Sequence, residues 1–192
     1  MQAAARHRGQ PAAEVVLTAA NSETVVGQVS RGLADLGFVE GPGRPRGLRS
    51  LVIGHDELAV VARPDHPWAR RDVPVTPAEL AATPLVSREE GSGTRDALAA
   101  ALSAALGRRV TLPVALALST TAAVRAAVLA GAGPAVLSEL TVTEDITARR
   151  LARVPVAGVN LRRALRAIWA GGHLPPEGAA RDLLAHVTVV AP

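Results

Sequence analysis

Residues 83–106 read TPLVSREEGSGTRDALAAALSAAL, which is an apolar run, a glycine-rich turn and an Ala/Leu-rich run in succession. The pattern predicts a strand over residues 84–89 and a helix over Asp96–Leu106. A strand-to-helix turn exposes the N–H groups of the first helical turn, which have no partner inside the helix. Two interpretations are therefore open. Ser92 or Thr94 is an ordinary helix cap, or the turn is a cradle for a small anion.

The same arrangement recurs at residues 118–124, LSTTAAV. We predict a strand over Val110–Leu118 and a helix over Ser119–Gly133, with three hydroxyl side chains where the helix begins. Ligands of open α/β sheets bind beyond the carboxyl ends of the strands, so we expect both hydroxyl-rich helix starts to face one crevice. Taken singly, each cluster fits a helix cap equally well.

Strands and helices alternate along the rest of the chain. Continuous apolar runs predict further strands at Ala13–Ala20, Leu33–Gly41, Leu48–Pro67 (one or two strands), Pro134–Leu140, Leu151–Gly158 and Ala164–Gly171. Capping residues and apolar spacing predict helices at Asn21–Gly32, Thr76–Pro84 and Pro175–Val190. Continuous rather than alternating apolar strands are typical of a parallel sheet covered on both faces. The predicted class is α/β, as one open sheet or two lobes.

Composition narrows the classes of function. The chain has 192 residues, of which 48% are hydrophobic and 2% aromatic, so it can bury a core but offers few stacking platforms for single-stranded nucleic acid. The net charge is +4 and the pI about 11.2. The chain contains no Lys, Tyr or Cys, so a small excess of Arg raises the pI without a dense basic patch. A DNA-binding face would concentrate its arginines, whereas the Arg pairs of this chain are scattered: Arg70–Arg71, Arg108–Arg109, Arg149–Arg150 and Arg162–Arg163.

The motifs of common enzymes are absent from the sequence. Without Cys there is no disulfide, Cys-ligated zinc or Cys nucleophile. The five His residues lack metal-ligand spacing, and no nucleophile elbow or phosphate loop occurs. Glu89 and Glu90 are adjacent at a strand end and would point to opposite faces. We expect no enzyme activity, metal or cofactor, and no membrane span or signal peptide, so the predicted location is cytoplasmic.

Several strings, in order, resemble the effector-binding domain of LysR-type transcriptional regulators. They are NSETVVGQVSRGLADLGFVEG (21–41), DELAVVARPDHPWARR (56–71), TPAELAATPLVSREEGSGTRDAL (76–98), STTAAVRAAVLAGAGPAVLSELTV (119–142) and LARVPVAGVNLRRALRAIW (151–169). The resemblance covers the chain from Asn21 to about Leu184. It implies the fold of type 2 periplasmic binding proteins, in which two α/β lobes are joined by two crossing strands with a small-molecule cleft between them.

The resemblance also implies where the lobes and the effector site lie. Residues 1–62 and 162–192 would form lobe I, residues 63–161 lobe II, and the crossings would fall near Ala59–Arg63 and Asn160–Ala164. It favours ligand contact over simple capping at the turn. The hydroxyl groups and helix N-termini themselves favour a small organic or inorganic anion as the effector. The effector-binding residues carried over from the family are Phe38, Ser87, Gly91, Ser92, Gly93, Thr94, Ser119, Thr120, Val136 and Ser138.

Two departures from the family pattern matter. No winged helix-turn-helix precedes Asn21, so we expect DNA contact only through a domain that this chain does not contain. The first strand of the family's domain also has no counterpart here. We therefore expect a fragment, a mis-started reading frame or a degenerate copy, with an unpaired strand edge that favours oligomerisation. The family dimerises through helices such as Thr24–Arg31, so a homodimer or homotetramer is expected.

Three rival interpretations stay open. A free-standing solute-binding protein of the same fold would need a signal peptide or lipid anchor. An enzyme on a similar fold would need a reactive constellation. An incomplete regulator would act on a complete partner or have no activity. Arg88 and Arg95, beside the turn, are expected to be solvated or ion-paired at the surface.

Overall fold

The structure, a computed structural model, describes residues 15–190, and side chains as far as residue 188. Its strands are β1 (Gly37–Gly41), β2 (Arg49–Ala62), β3 (Leu85–Arg88), β4 (Val114–Leu118), β5 (Ala135–Ser138), β6 (Ala152–Arg153) and β7 (Arg162–Trp169). Its helices are α1 (Ser22–Ser30), α2 (Pro67–Arg70), α3 (Pro77–Ala82), α4 (Gly93–Leu106), α5 (Thr121–Leu129), α6 (Glu139–Thr147) and α7 (Ala179–Val190). The α/β class is confirmed.

Strand β2 is the long strand that pairs with β7 along one part of its length and with β5 along the other. The strand order is β1-β7-β2-β5-β3-β4, with β6 also on β2. Residues Arg49–Glu57 of β2 pair with β7, whereas Leu58–Val61 pair with β5. We call β1, β7, α1, α7 and Arg49–Glu57 the β7 half, and the elements from Leu58 of β2 through β6 the β5 half. The chain returns to the β7 half at Leu161, whose carbonyl accepts from the Leu58 N–H.

The predicted parallel sheet is wrong for most of the pairings. β1 and β2 each pair antiparallel with β7, and β2 pairs antiparallel with β5 and β6. Only β3 with β4 and β3 with β5 are parallel among the named strands. Continuous apolar runs report burial on two faces and not strand direction, so periodicity could not separate the two arrangements.

Local signals placed most helices correctly, and one strand wrongly. Thr76 and Glu79 form the capping box of α3, with Pro77 at its first position. Asn21 caps α1 by accepting from the Thr24 N–H. The strand predicted over Ala13–Ala20 is wrong for residues 15–20, which have no regular structure; residues 13–14 lie outside the described range. A strand is stable only beside a partner, and the described chain supplies none there. Helices α2 and α6 were not predicted.

The apolar core lies mostly in the β5 half. Its largest cluster packs α3 and α4 onto one face of the sheet, with Leu80 and Leu102 fully buried. A second cluster packs α5 and α6 onto the other face, around Val124 and Val142. In the β7 half, small clusters form around Val29 and around Trp169.

Over residues 15–190, no helix is both long and apolar enough to cross a membrane.

Candidate effector-binding site

Three parallel strands of the β5 half end at the same edge of the sheet. Arg88 of β3 lies in register with Leu118 of β4, and Val86 of β3 with Ala135 of β5. The next helices, α4, α5 and α6, therefore all begin at this edge. The two hydroxyl-rich helix starts therefore lie at one edge of the sheet, and their facing one crevice stays a prediction. Ser138 at the end of β5 joins them.

The start of α4 is buried. Ser92 stands at the N-cap position with 2% exposure, yet its side chain makes no cap hydrogen bond among the described residues. The Thr94 hydroxyl is 2.8 Å from Arg163 Nη1, from which it accepts a hydrogen bond. The interpretation of these two side chains as simple helix caps is therefore wrong. Both hydroxyls face the interior of the molecule.

Glycines at this turn permit close approach, but the observed neighbour is the chain itself. A Cβ at Gly93 would lie 1.9 Å from the Glu40 carbonyl oxygen of β1 and 2.7 Å from Ser22 Oγ. Gly91 has φ +79°, and a Cβ there would lie 2.4 Å from a Glu23 carboxylate oxygen. The Glu23 N–H donates to the Gly91 carbonyl at 3.0 Å. The turn thus packs directly against α1 and β1 of the β7 half.

The start of α5 differs from that of α4. Thr120 is exposed, and its hydroxyl accepts from the Ala123 N–H at 3.1 Å, which makes it an ordinary cap. Ser119 is exposed as well. Arg88 Nη1 donates to Thr121 Oγ1 at 3.2 Å and links the α5 start to the end of β3. Capping and ligand contact can coexist at Thr120, and the ligand role stays a prediction.

The remaining predicted residues lie in different surroundings. Ser87, at the end of β3, is 8% exposed. Phe38, on β1, is 37% exposed. Val136 packs inside the largest core cluster, so neighbouring apolar residues cover its side chain. The assignment of the ten residues to one effector site stays a prediction.

A buried polar network joins the two halves, and sequence reasoning missed it. Asp56 of β2 and Arg163 of β7 are register neighbours with 6% and 5% exposure. Arg163 Nε and Nη2 lie 2.8 and 2.6 Å from Asp56 Oδ2. Ser138 Oγ donates to Asp56 Oδ1 at 2.8 Å. Arg163 also pairs with the Glu40 carboxylate. The starts of α4 and α6 are thus hydrogen-bonded to a charged pair on the neighbouring strands β2 and β7.

The sequence did carry a weak signal for this network. The polar residues His55–Glu57 interrupt the apolar run LVIGHDELAVV (51–61), and Arg162, Arg163 and Arg166 lie in a strand whose other residues are apolar. Charged residues are rarely buried unless paired, so an acid and a base within two buried strands indicate an internal ion pair. The sequence alone does not place the two strands side by side.

The two arginines beside the turn are ion-paired, as expected, but their side chains are only 15% and 19% exposed and do not lie at the open surface. Arg88 Nε lies 2.8 Å from Glu89 Oε2, and Arg95 Nη2 lies 3.5 Å from Glu90 Oε1. The hydrogen bond from Arg88 lowers the pKa of Glu89. Asn21 Nδ2 donates to Glu89 Oε1 at 3.1 Å. The loop after β3 is therefore anchored to the cap of α1.

A cavity of about 490 Å³ opens beside the contact between the two halves. It lies between the start of α1, the end of β1 and the first turn of α4, and its charged lining residues are Glu23, Glu40, Arg44 and Asp96. Another cavity, of about 440 Å³, lies beside β2 and β6 and is lined by Glu57, Arg153 and Arg162 among others. Of the ten predicted residues, only Gly91 lines either cavity. No group of acidic or His side chains within residues 15–190 is arranged to hold a metal ion.

Comparison with known proteins connects this geometry to a family. The model of the LysR substrate-binding domain matches residues 3–191. The uncharacterized HTH-type transcriptional regulator Rv2282c of Mycobacterium tuberculosis is 54% identical over 189 residues, which are 98% of this chain and 61% of that regulator. The chain thus spans less than two thirds of the length of this relative.

Solved structures share the fold. The regulatory domain of Synechocystis CcmR in complex with 2-PG matches 89% of this chain and 80% of that chain, with a TM-score of 0.72 and 24% identity. A phosphate ABC transporter substrate-binding protein of Clostridium perfringens matches 88% of this chain and 77% of that chain, with a TM-score of 0.65 and 16% identity. The predicted likeness to periplasmic binding proteins is confirmed, and the chain belongs to the LysR substrate-binding domain family.

Proposed function

We propose that this chain is the ligand-sensing domain of a LysR-type regulator and binds a small anion at the start of α4. The anion would lie between lobe I (residues 1–62 and 162–192) and lobe II (residues 63–161). Binding there would bias the relative arrangement of the lobes. In the whole regulator, that bias would alter the geometry of the DNA-bound dimer or tetramer.

The buried start of α4 is the observation that carries the proposal. A helix N-terminus offers N–H donors and the positive end of the helix dipole. Ser92 adds a buried hydroxyl that does not cap the helix, and Arg163 brings a buried cation to the neighbouring Thr94. The helix dipole and N–H donors that lack a capping side chain favour an anionic ligand over a neutral one.

Structures of the same fold support the ligand class. The CcmR domain is in complex with 2-PG, and the Clostridium perfringens protein holds bound phosphate. A fold of this kind can therefore accommodate a small anion. The relative that shares 54% identity is an HTH-type transcriptional regulator, which favours sensing over transport or catalysis for this chain.

Contacts across the turn supply a route from the ligand to α1. The Glu89–Gly91 loop accepts from the Glu23 N–H and from Asn21, both at the start of α1. A ligand that moves the first turn of α4 would therefore move α1, the helix through which we expect the dimer to form. The ligand can shift the equilibrium only by its different affinity for the two arrangements.

Thermal melting tests the proposal. Sulfate and inorganic phosphate, each at constant ionic strength, should raise the melting temperature of this chain by several degrees, because a ligand at about 100 times its Kd adds roughly 2.7 kcal/mol. Ser92→Ala should lose most of that shift. Thr76→Ala is the matched control, because it removes the cap of α3 and should lower the melting temperature while keeping the anion-induced shift. An equal shift in Ser92→Ala would contradict the proposal.

A further inference from the structure

Arg163 is shared by two carboxylates, although one is enough to neutralise it. Asp56 accepts from Nε and Nη2, and Glu40 pairs with Nη1, which also donates to Thr94. The guanidinium is therefore bonded on its Nε side to the neighbouring strand β2, and on its Nη1 side to β1 and α4. The group carries one positive charge against two negative ones.

The two carboxylates differ in how firmly they are held. The side chain of Asp56 is 4% exposed, like that of Arg163, and its second oxygen accepts from Ser138. Displacing Asp56 would leave three donor groups, Arg163 Nε and Nη2 and Ser138 Oγ, without their acceptor, which is costly at a buried position. The side chain of Glu40 is 44% exposed and borders the 490 Å³ cavity. Water can solvate a displaced Glu40 carboxylate, so Glu40 is the replaceable partner.

We propose that Glu40 is an internal competitor of the effector. In the ligand-free chain its carboxylate occupies the position at Arg163 Nη1, beside the first turn of α4, that an anionic group of the effector takes on binding. This inference rests on the proposed function, and it adds the residue that the effector must displace.

The surroundings of Glu40 fit this role. Its backbone is in contact with Gly93, and its carbonyl accepts from Ser22 Oγ at 3.1 Å, so the backbone stays fixed while the side chain leaves. Arg44 lines the same cavity and offers a second cationic partner to the released carboxylate. An incoming carboxylate, sulfate or phosphate at Nη1 would also lie beside Thr94 and the N–H groups that open α4.

Displacement would place the effector at the contact between the halves, because the Glu40–Arg163 pair lies within the β7 half and Arg163 reaches α4 of the β5 half through Thr94. The Glu40–Arg163 pair joins the end of β1 to β7 and, through Thr94, to α4. An anion that replaces Glu40 keeps Arg163 neutralised but breaks the charged link from β1. A neutral ligand could not do so, because it would leave Arg163 paired with Glu40. The competition therefore selects for anionic effectors.

The test is the affinity for a simple anion with and without the competitor. Isothermal titration of sulfate, repeated with inorganic phosphate, is carried out on the unmodified chain and on Glu40→Gln at constant ionic strength. Gln keeps the shape and loses the charge, so Glu40→Gln should bind both anions about tenfold more tightly, which is about 1.4 kcal/mol.

Glu57→Gln is the matched control. Glu57 is an exposed carboxylate next to Asp56 that pairs with Arg153, so its neutralisation changes the net charge equally without touching Arg163. Its affinity for sulfate should stay within about twofold of the unmodified chain, a difference well below the 1.4 kcal/mol of a tenfold change. A gain in Glu40→Gln alone supports competition.

The other outcomes are separable. Equal or weaker binding by Glu40→Gln, with clear binding by the unmodified chain, overturns the competitor and leaves the anion site standing. An equal gain in Glu57→Gln also overturns it, because a general charge effect then suffices. Absence of binding by all three chains overturns both the competitor and the anionic effector.

Discussion

Strand β2 contains two apolar segments, Leu58–Ala62 and Leu51–Ile53, that have opposite surroundings. Leu58–Ala62, in the β5 half, are each no more than 1% exposed. Leu51 and Val52, in the β7 half, are 42% and 40% exposed. Helices cover both faces of the sheet around the first segment, whereas the described part of the chain covers the second incompletely. Burial along one strand is thus decided by its neighbours and not by its own residues.

The same contrast holds for the cores. The larger two clusters, both in the β5 half, contain fourteen and nine buried residues, against three in each cluster of the β7 half among the described residues. Val15, Val16 and Leu17 are more than half exposed. Because apolar burial is the main favourable term in folding, we infer that the β5 half supplies most of the stability.

The largest expected effect tests this inference directly. Leu102→Ala removes a fully buried side chain from the largest cluster and should cost about 3 kcal/mol of unfolding free energy. Leu184→Ala, in a three-residue cluster, should cost less than about 2 kcal/mol, because the site is smaller and easier to fill. Urea denaturation of both variants measures the difference. Equal losses of unfolding free energy in the two variants would contradict the inference that the β5 half supplies most of the stability.

A smaller effect is expected where the halves touch. Gly93→Ala would place a Cβ 1.9 Å from the Glu40 carbonyl oxygen, so α4 and β1 must separate. We expect a loss of about 2 kcal/mol, as for other overpacked sites. Gly43→Ala is the control, since a Cβ there meets nothing within 4 Å, and it should change stability by less than about 0.5 kcal/mol. Unchanged stability of Gly93→Ala would show that the halves are not in firm contact.

The smallest expected effect is a pH dependence of stability that arises from residues of the β5 half alone. Asp145 of α6 is buried and pairs with Arg125 of α5 and with Arg150. The hydrogen bond from Arg125 lowers the pKa of Asp145 below its usual value. The resulting stabilisation is therefore present above the ordinary Asp pKa of about 3.9 and is lost as pH falls through the lowered pKa.

Asp145→Asn should reduce the unfolding free energy by about 1 kcal/mol at neutral pH, because both arginines are partly exposed. The difference in unfolding free energy between Asp145→Asn and the unmodified chain should shrink as pH falls below the ordinary Asp pKa of about 3.9. Denaturation curves between neutral and acid pH measure this difference, with the exposed neighbour Glu144→Gln as control. If this difference in unfolding free energy grew on acidification, the pKa of Asp145 could not be lowered in the folded chain.

Much of the local structure followed from the sequence. Capping by Asn21 and Thr76, and the strand–turn–helix order around Gly91, depend on residues close together in the chain, so short patterns predicted them. The strand predicted at residues 13–20 failed over its described part because strand stability depends on a partner elsewhere. Helix α6 was not predicted because Thr-rich residues 141–147 have weak helix propensity, which packing of Val142 overrides.

The candidate site also contains some residues that the sequence predicted and others that it did not. The hydroxyl residues at the start of α4 could be found from the sequence, since glycine and hydroxyl residues between a strand and a helix indicate such a turn. Arg163, Asp56 and Glu40 could not, because they come from three strands that meet only through the register of β1, β7 and β2. Whether Ser92 and Thr94 cap their helix or face inward also depended on these distant partners.

The sequence by itself determined the α/β class, the family and most helix boundaries, because each of these depends on patterns of residues that are close together in the chain. The tertiary structure alone decided strand direction, the change of partner along β2, the burial of one end of that strand, and the charge network at Arg163. These features depend on which distant segments become neighbours, and the free energy of burying a charge or an apolar side chain is set by those neighbours.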